Sequence, residues 1–306
     1  KFVEDGQHSN RLPLLRAVNT GLAATKQLIT ALILAHRSAV MITTNTTTLA
    51  VEQHVAWITL NRPNSLNALD PELRWQLSQH LDDVETNDEI WLAVITGAGD
   101  KAFCAGADLK ARALLKTAST AQLAEIKAFE EDTRHIIARW QFPKPLIAMV
   151  NGYALGGGLE VAMACDLIIA ADHATFGLPE PTRGLIAGSA GVHRLPRQIG
   201  LKPAMGYLLT GRHFSAQRAY ELGLINEVVP KAQLRETVQG YVDDILRCAP
   251  LAVRATKACA MQGLDHPLPA AFEKTYPEEL LRRESADALE GPRAFAEKRA
   301  PIWQGR

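Results

Sequence analysis

The stretch KPLIAMVNGYALGGGLE, residues 144–160, decides the fold that this sequence predicts. Its apolar run from Leu146 to Val150 is short and is followed by Asn-Gly, which predicts a buried strand. Three consecutive glycines, Gly156 to Gly158, then precede a helix that should continue to about Ala164. A glycine run is costly in chain entropy, so this turn should need positive φ or the close approach of another group.

Glu160 falls in the first turn of this predicted helix. The unpaired N–H groups at a helix start attract negative charge, and Glu160 should point where those groups point. A carboxylate in this place either takes part in chemistry beside an anion-binding turn or only stabilises the helix dipole. The segment by itself favours neither interpretation.

The flanking sequence repeats this alternation of short apolar strands and helices. The alternating residues 49–60 predict a strand pair or one bent strand, and Asp70-Pro71 predicts a helix to about Val84 with Asp70 as its N-cap. The same criteria predict strands at 91–96 and 166–170, a helix at 121–140, and an almost wholly helical region beyond Pro203. Together these elements indicate an α/β fold.

Charge and cysteine content narrow the function classes. The 306 residues include 33 basic and 33 acidic ones, so no basic excess favours a nucleic-acid partner. The four cysteines form no C-x-x-C pair and no cluster with histidine that has the spacing of a metal site. We therefore predict reduced thiols and no bound metal.

Residues 1–40 differ from the rest of the chain, with five basic residues and two acidic ones. Their apolar run at 28–35 is far shorter than the roughly 20 residues of a membrane span, so we predict no membrane partner. This leader is a transit peptide, a genuine extra helix, or sequence upstream of a native start at Met41, and we favour the last two together over the first. The predicted location is the cytoplasm, or the mitochondrial matrix if a transit peptide is present.

Two further segments carry groups suited to catalysis. Residues 101–110, KAFCAGADLK, form a small-residue loop before a helix start near Asp108, where backbone N–H groups can bind an anion. The alternative is a tight turn that Asp108 caps. Residues 176–180, FGLPE, place Glu180 on a loop, where it either reacts, is solvated or pairs with Arg183. Together, the two glycine-bearing loops can present two N–H donors to one oxygen, with two carboxylates beside it.

From about Val51 to Arg306 the chain resembles the crotonase superfamily, a resemblance that rests on a set of motifs far more specific than any one of them. The motifs are NRP-x-x-x-NAL (61–69), AFCAGADLK (102–110), KP-x-IA-x-VNGYALGGGLE (144–160), CDLIIA (165–170), FGLPE (176–180), RLPR-x-IG (194–200) and FAEKR (295–299). The resemblance implies a spiral of ββα turns to about residue 202 and a helical part at 203–306. The crotonase domain would then be residues 41–306, and residues 1–40 an extension.

The resemblance also implies a site. The thioester oxygen of an acyl-CoA substrate should lie between the backbone N–H groups of Ala107 and Gly157, and Glu160 and Glu180 should be the catalytic carboxylates. The CoA channel should be lined by Ala68, Ala107, Asp108, Leu109, Lys110 and Gly157. Coenzyme A is part of the substrate, so no separate cofactor is expected. A homotrimer or a dimer of trimers is expected.

These features predict an enoyl-CoA hydratase, a hydro-lyase. An isomerase on this fold needs one base and no held water, so two glutamates favour hydration. A carnitinyl-CoA dehydratase-like lyase is the other alternative, because the ending from Glu290 to Arg299 is similar to such enzymes. A binding protein without turnover is disfavoured, since both carboxylates are retained.

Departures from the family pattern affect the predicted substrate and not the fold. Ala187-Gly188 and Val192-His193 replace the Pro-Gly and Gly-Thr-Gln of many hydratases. His193 is predicted to be a structural or surface residue rather than a substrate contact. Cys104 is predicted to be a small buried residue rather than a nucleophile.

Overall fold

The computed structural model describes residues 45–114 and 117–306, so the predicted boundary at Met41 and the leader lie outside the described residues. The strands are β1 Thr47–Glu52, β2 Val55–Leu60, β3 Leu92–Gly97, β4 Ala102–Cys104, β5 Leu146–Val150, β6 Tyr153–Leu155, β7 Leu167–Ala171, β8 Thr175–Gly177, β9 Phe214–Ser215 and β10 Glu227–Val229. The helices are α1 Pro71–Thr86, α2 Leu109–Leu114, α3 Thr120–Glu131, α4 Gly157–Ala164, α5 Gly191–Ile199, α6 Leu201–Thr210, α7 Ala216–Glu221, α8 Leu234–Leu246, α9 Pro250–Gly263, α10 Leu268–Glu273, α11 Pro277–Glu284 and α12 Ala286–Ala296.

The strands form two sheets that the chain visits alternately. One sheet has the order β1-β2-β3-β5-β7-β10 and is parallel apart from the β1–β2 hairpin. The other has the order β4-β6-β8-β9, with only β8–β9 antiparallel. Each successive strand pair, β3–β4, β5–β6 and β7–β8, adds one strand to each sheet. This repetition confirms the predicted α/β class and brings the loops after β4, β6 and β8 side by side.

The strand predicted from the opening stretch is buried on both faces. Leu146, Ala148 and Val150 of β5 pack into one hydrophobic cluster, which lies between the sheets. Ile147 and Met149 point the other way, into a second cluster with α8. A strand covered on both sides reads as an unbroken apolar run, which is the pattern in the sequence.

Two predictions about secondary structure were wrong in part. The helix expected at 121–140 ends at Glu131, because α1 holds the residues that follow. Asp132 accepts a hydrogen bond from Trp75 of α1, and the buried Arg139 pairs with Asp82 of α1. The region beyond Pro203 also contains β9 and β10, which extend the two sheets but are too short to give a periodic signal. Among the described residues, no helix is long and apolar enough to cross a bilayer.

Candidate active site

The loops that follow β4 and β6 meet through glycine backbone. Gly106 has φ +91°, and a Cβ placed on it would lie 3.1 Å from the Gly157 nitrogen. A Cβ placed on Gly157 would lie 3.7 Å from the Ala107 nitrogen. The two segments can approach this closely because neither glycine carries a side chain. The glycines therefore bring the backbone N–H groups of Ala107 and Gly157 close together.

These two N–H groups are available to a ligand. The neighbouring N–H groups of Asp108 and Gly156 donate to backbone carbonyls at 3.1 Å and 2.8 Å. Within residues 45–114 and 117–306, no acceptor binds the N–H of Ala107 or of Gly157. Gly157 is the first residue of α4, whose N-terminus favours negative charge. Two unpaired donors and a helix N-terminus form a site that can stabilise an oxyanion.

Glu160 is a buried carboxyl group, only 3% exposed, and a hydrogen bond fixes its position. Its Oε1 accepts a 2.8 Å hydrogen bond from the backbone N–H of Gly191. Burial raises the pKa of Glu160, and the charge of Glu180 raises it further. The hydrogen bonds from Gly191 and from the backbone and hydroxyl of Ser189 act in the opposite direction on that pKa. These donors reduce the upward shift without cancelling it, so the pKa of Glu160 stays above the ordinary glutamate value.

Glu180 lies beside the glycine turn that precedes α4. It begins the 3-10 turn Glu180–Arg183 directly after β8, where the sequence had predicted a loop. Its Oε1 lies 2.9 Å from the position of a Cβ on Gly156. Its Oε2 is buried and has no hydrogen-bond partner among the described residues. Burial raises the pKa of Glu180, so its carboxyl group favours the protonated form more than an exposed glutamate does.

Arg62 fixes one wall of the site, a role that the sequence did not reveal. Its guanidinium donates to the carbonyl of Ala68 at 2.6 Å and to Oδ2 of Asp108 at 3.0 Å. It also lies 3.1 Å from a carboxylate oxygen of Asp70. Asp108 in turn accepts from the N–H groups of Lys110 and Ala111, which confirms it as the cap of α2. In the sequence, the only signal for these contacts of Arg62 was its place in the NRP motif.

One cavity of ≈ 1250 Å³ joins these groups. Its wall includes every residue that the resemblance assigned to the site: Ala68, Ala107, Asp108, Leu109, Lys110, Gly157, Glu160 and Glu180. Their individual roles stay predictions. Leu109 and Lys110 are exposed, so the cavity reaches the surface beside them. The volume exceeds the range of about 300–1,000 Å³ typical for small ligands, and so leaves room for a large one.

Two residues to which the sequence assigned no catalytic role, His193 and Cys104, lie where it predicted. His193 is exposed and is not part of the described cavity wall. Cys104 is completely buried, and burial raises the pKa of its thiol to about 12. A thiol with so high a pKa carries almost no nucleophilic thiolate near neutral pH.

Comparison with known proteins identifies the family. The model of the family described as enoyl-CoA hydratase/isomerase matches residues 50–306. The chain belongs to the enoyl-CoA hydratase/isomerase family. It is 41% identical to (E)-benzylidenesuccinyl-CoA hydratase of Thauera aromatica over 84% of this chain and 98% of that protein. It is 36% identical to carnitinyl-CoA dehydratase of Escherichia coli K12 over 81% of this chain and 94% of that protein.

Solved structures of the enoyl-CoA hydratase/isomerase family share the fold. A crystal structure of enoyl-CoA hydratase from Bacillus anthracis matches with a TM-score of 0.75 at 37% identity, covering 85% of this chain and 100% of that chain. One from Mycobacterium tuberculosis H37Rv gives a TM-score of 0.76 at 35% identity, covering 86% and 100%. The predicted crotonase-like fold is therefore confirmed.

Proposed function

We propose that this protein is an enoyl-CoA hydratase that adds water reversibly to a 2-enoyl-CoA thioester. The observation that carries the proposal is the position of Glu160 and Glu180 on one cavity wall beside the unpaired N–H groups of Ala107 and Gly157. Fold membership alone would not support it, because one fold hosts several reactions. The names of the relatives, a hydratase and a dehydratase, agree with it.

The N–H pair would stabilise the charge that develops during addition. Water attacks the β-carbon of the unsaturated thioester, and electron density moves onto the thioester oxygen. The N–H groups of Ala107 and Gly157 donate to that oxygen, and α4 directs its positive end towards it. Removing one such donor typically costs about 3–4 kcal/mol in the transition state.

The two glutamates would divide the proton transfers. Glu160 accepts a hydrogen bond from Gly191 that fixes its carboxyl group, so it positions and polarises the attacking water. Glu180 has a buried oxygen without a described partner and a raised pKa, so it can also hold the water and supply a proton to the α-carbon. Each proton transfer of this kind contributes about 10²–10⁴ in rate. Dehydration follows the same path in reverse.

Direct assays separate hydration from the alternatives. Purified protein should remove the absorbance of the conjugated thioester of crotonyl-CoA, with a chelator present and no added cofactor. An isomerase would instead generate that absorbance from a 3-enoyl-CoA, and a hydrolase would release free thiol. The panel should include (E)-benzylidenesuccinyl-CoA and crotonobetainyl-CoA, to test acyl groups related to the names of the relatives. If no enoyl-CoA loses its conjugated absorbance, the proposal is wrong.

We also propose that the protein assembles into trimers or dimers of trimers. Large apolar side chains stand exposed on and between its C-terminal helices, among them Leu264, Leu268 and Phe272, each more than 80% exposed. Burying such side chains between subunits would remove apolar surface from water. Sedimentation or light scattering should give three or six times the mass of one chain, and a monomer at micromolar concentration would contradict the proposal.

A further inference from the structure

Arg74 is a cation on the cavity wall that the catalytic scheme does not use. It lies on α1, one turn after Asp70 and one turn before Leu77. Arg74 and Leu77 both line the cavity. Its side chain is partly buried, and no nitrogen of its guanidinium is cut off from solvent.

No anion neutralises Arg74 in the described part of the chain. Arg62, the other arginine at this end of α1, binds two carboxylates and a carbonyl. For Arg74, no ion pair and no side-chain hydrogen bond joins it to any described residue. A guanidinium offers five N–H donors, and those of Arg74 are open to solvent in the cavity, where the anion of a ligand can replace water. An unpaired arginine in a ligand cavity therefore indicates a ligand that brings the anion.

Arg74 lies close enough to Cys104, which ends β4 just before the loop of Ala107, for its charge to act on that thiol. The wall of the same cavity contains Ile136, from a 3-10 turn that packs against both α1 and α4, and Val161, which directly follows Glu160. His135 also lines this wall, and its pKa is lowered by burial and then by the charge of Arg74. The neutral imidazole can donate a hydrogen bond beside the guanidinium. Leu109 and Lys110, at the surface, lie on a different element, α2.

We propose that Arg74 binds a carboxylate carried by the acyl group of the substrate, so that this enzyme acts on enoyl-CoA thioesters of dicarboxylic acids. The inference rests on the proposed function, because it assigns the acyl part of that substrate. A neutral acyl group would displace water from Arg74 and leave the guanidinium unpaired. A carboxylate would instead form the two-pronged pair that guanidinium geometry fits. A site built in this way discriminates strongly against the analogue that lacks the anion.

Binding of saturated thioesters tests this independently of turnover. Titration calorimetry should compare succinyl-, glutaryl- and adipyl-CoA with butyryl-, pentanoyl- and hexanoyl-CoA, which carry methyl in place of carboxylate. At least one acid should bind about 10- to 100-fold more tightly than its methyl partner. Arg74→Met should remove that preference, and Arg74→Lys, which keeps the charge without the fork, should retain part of it.

Two controls identify the group that Arg74 binds. Arg183 also lines the cavity but is exposed, so Arg183→Met should change the affinity of each acid and its methyl partner in the same proportion. Free CoA should bind wild type and Arg74→Met within about threefold of each other. Equal loss for CoA and for the acids would assign Arg74 to the CoA phosphates and overturn the inference. It is also overturned if wild type shows no preference for any acid, even where crotonyl-CoA is hydrated.

Discussion

Replacing Gly156 by alanine should damage catalysis more than stability. Gly156 has φ +52° and ψ −125°, a conformation that L-residues rarely adopt, and it directly precedes the N–H donor of Gly157. The new Cβ would lie 2.9 Å from Glu180 Oε1, whereas ordinary contact begins at 3.4 Å. The carboxylate must therefore move by about 0.5 Å, or the backbone that carries the oxyanion donor must shift.

The magnitude follows from these two displacements. Backbone strain at a positive φ costs on the order of 1–3 kcal/mol of unfolding free energy. Misplacing a reacting group by about 1 Å can cost 10²-fold in rate, so half that shift together with a tilted donor should lower kcat by about 10- to 100-fold. The affinity for the CoA thioester should change by less than about threefold, because Gly156→Ala leaves the CoA-facing wall intact.

Gly223→Ala is the matched control. Gly223 also has positive φ, +74°, but a Cβ there meets no atom within 4 Å and the residue does not line the described cavity. Both variants should lose similar stability in urea titrations, while only Gly156→Ala loses activity on crotonyl-CoA. If kcat of Gly156→Ala stays within threefold of that of Gly223→Ala, the assigned contact between Gly156 and Glu180 does not matter for catalysis.

Five other substitutions test the remaining parts of the site. Glu160→Gln and Glu180→Gln should each lower kcat at least about 100-fold with CoA-thioester binding retained, and near-normal hydration would remove that carboxylate from the mechanism. Because burial raises the pKa of Glu180 in the folded state, ionising it as pH rises above the ordinary glutamate range costs stability. Between pH 5 and 8, urea titrations should therefore show wild type losing stability relative to Glu180→Gln; a constant difference would contradict the raised pKa. Gly157→Pro should lower kcat about 10²–10³-fold through loss of a donor, whereas Gly157→Ala keeps the donor and should lose less; a folded proline variant with normal kcat would refute the oxyanion assignment. Ser189→Ala removes a donor that lowers the pKa of Glu160, so the acidic limb of the pH–rate profile should move to higher pH, and an unchanged limb would show that Ser189 does not act on Glu160.

Local sequence signals predicted most of the fold and the chemical groups of the site. The apolar run of β5, the Asp70 cap of α1 and the glycine turn before α4 each depend on residues adjacent in sequence, and each lies where the pattern placed it. Hydrophobic periodicity and capping are short-range effects, so a single sequence displays them directly. They were insufficient at Glu131, where contacts with a distant helix ended α3 early.

Features that depend on contacts between segments distant in sequence were determined only by the tertiary structure. Arg62 and Asp108 are 46 positions apart, yet their contact fixes the wall beside Ala107. Likewise, among the described residues, the buried Oε2 of Glu180 and the side chain of Arg74 have no partner because packing brings no suitable group within reach of them. The sequence determined which carboxylates, glycines and cations this protein carries. Only folding decided which of them are paired, because pairing depends on distances that neighbouring residues do not set.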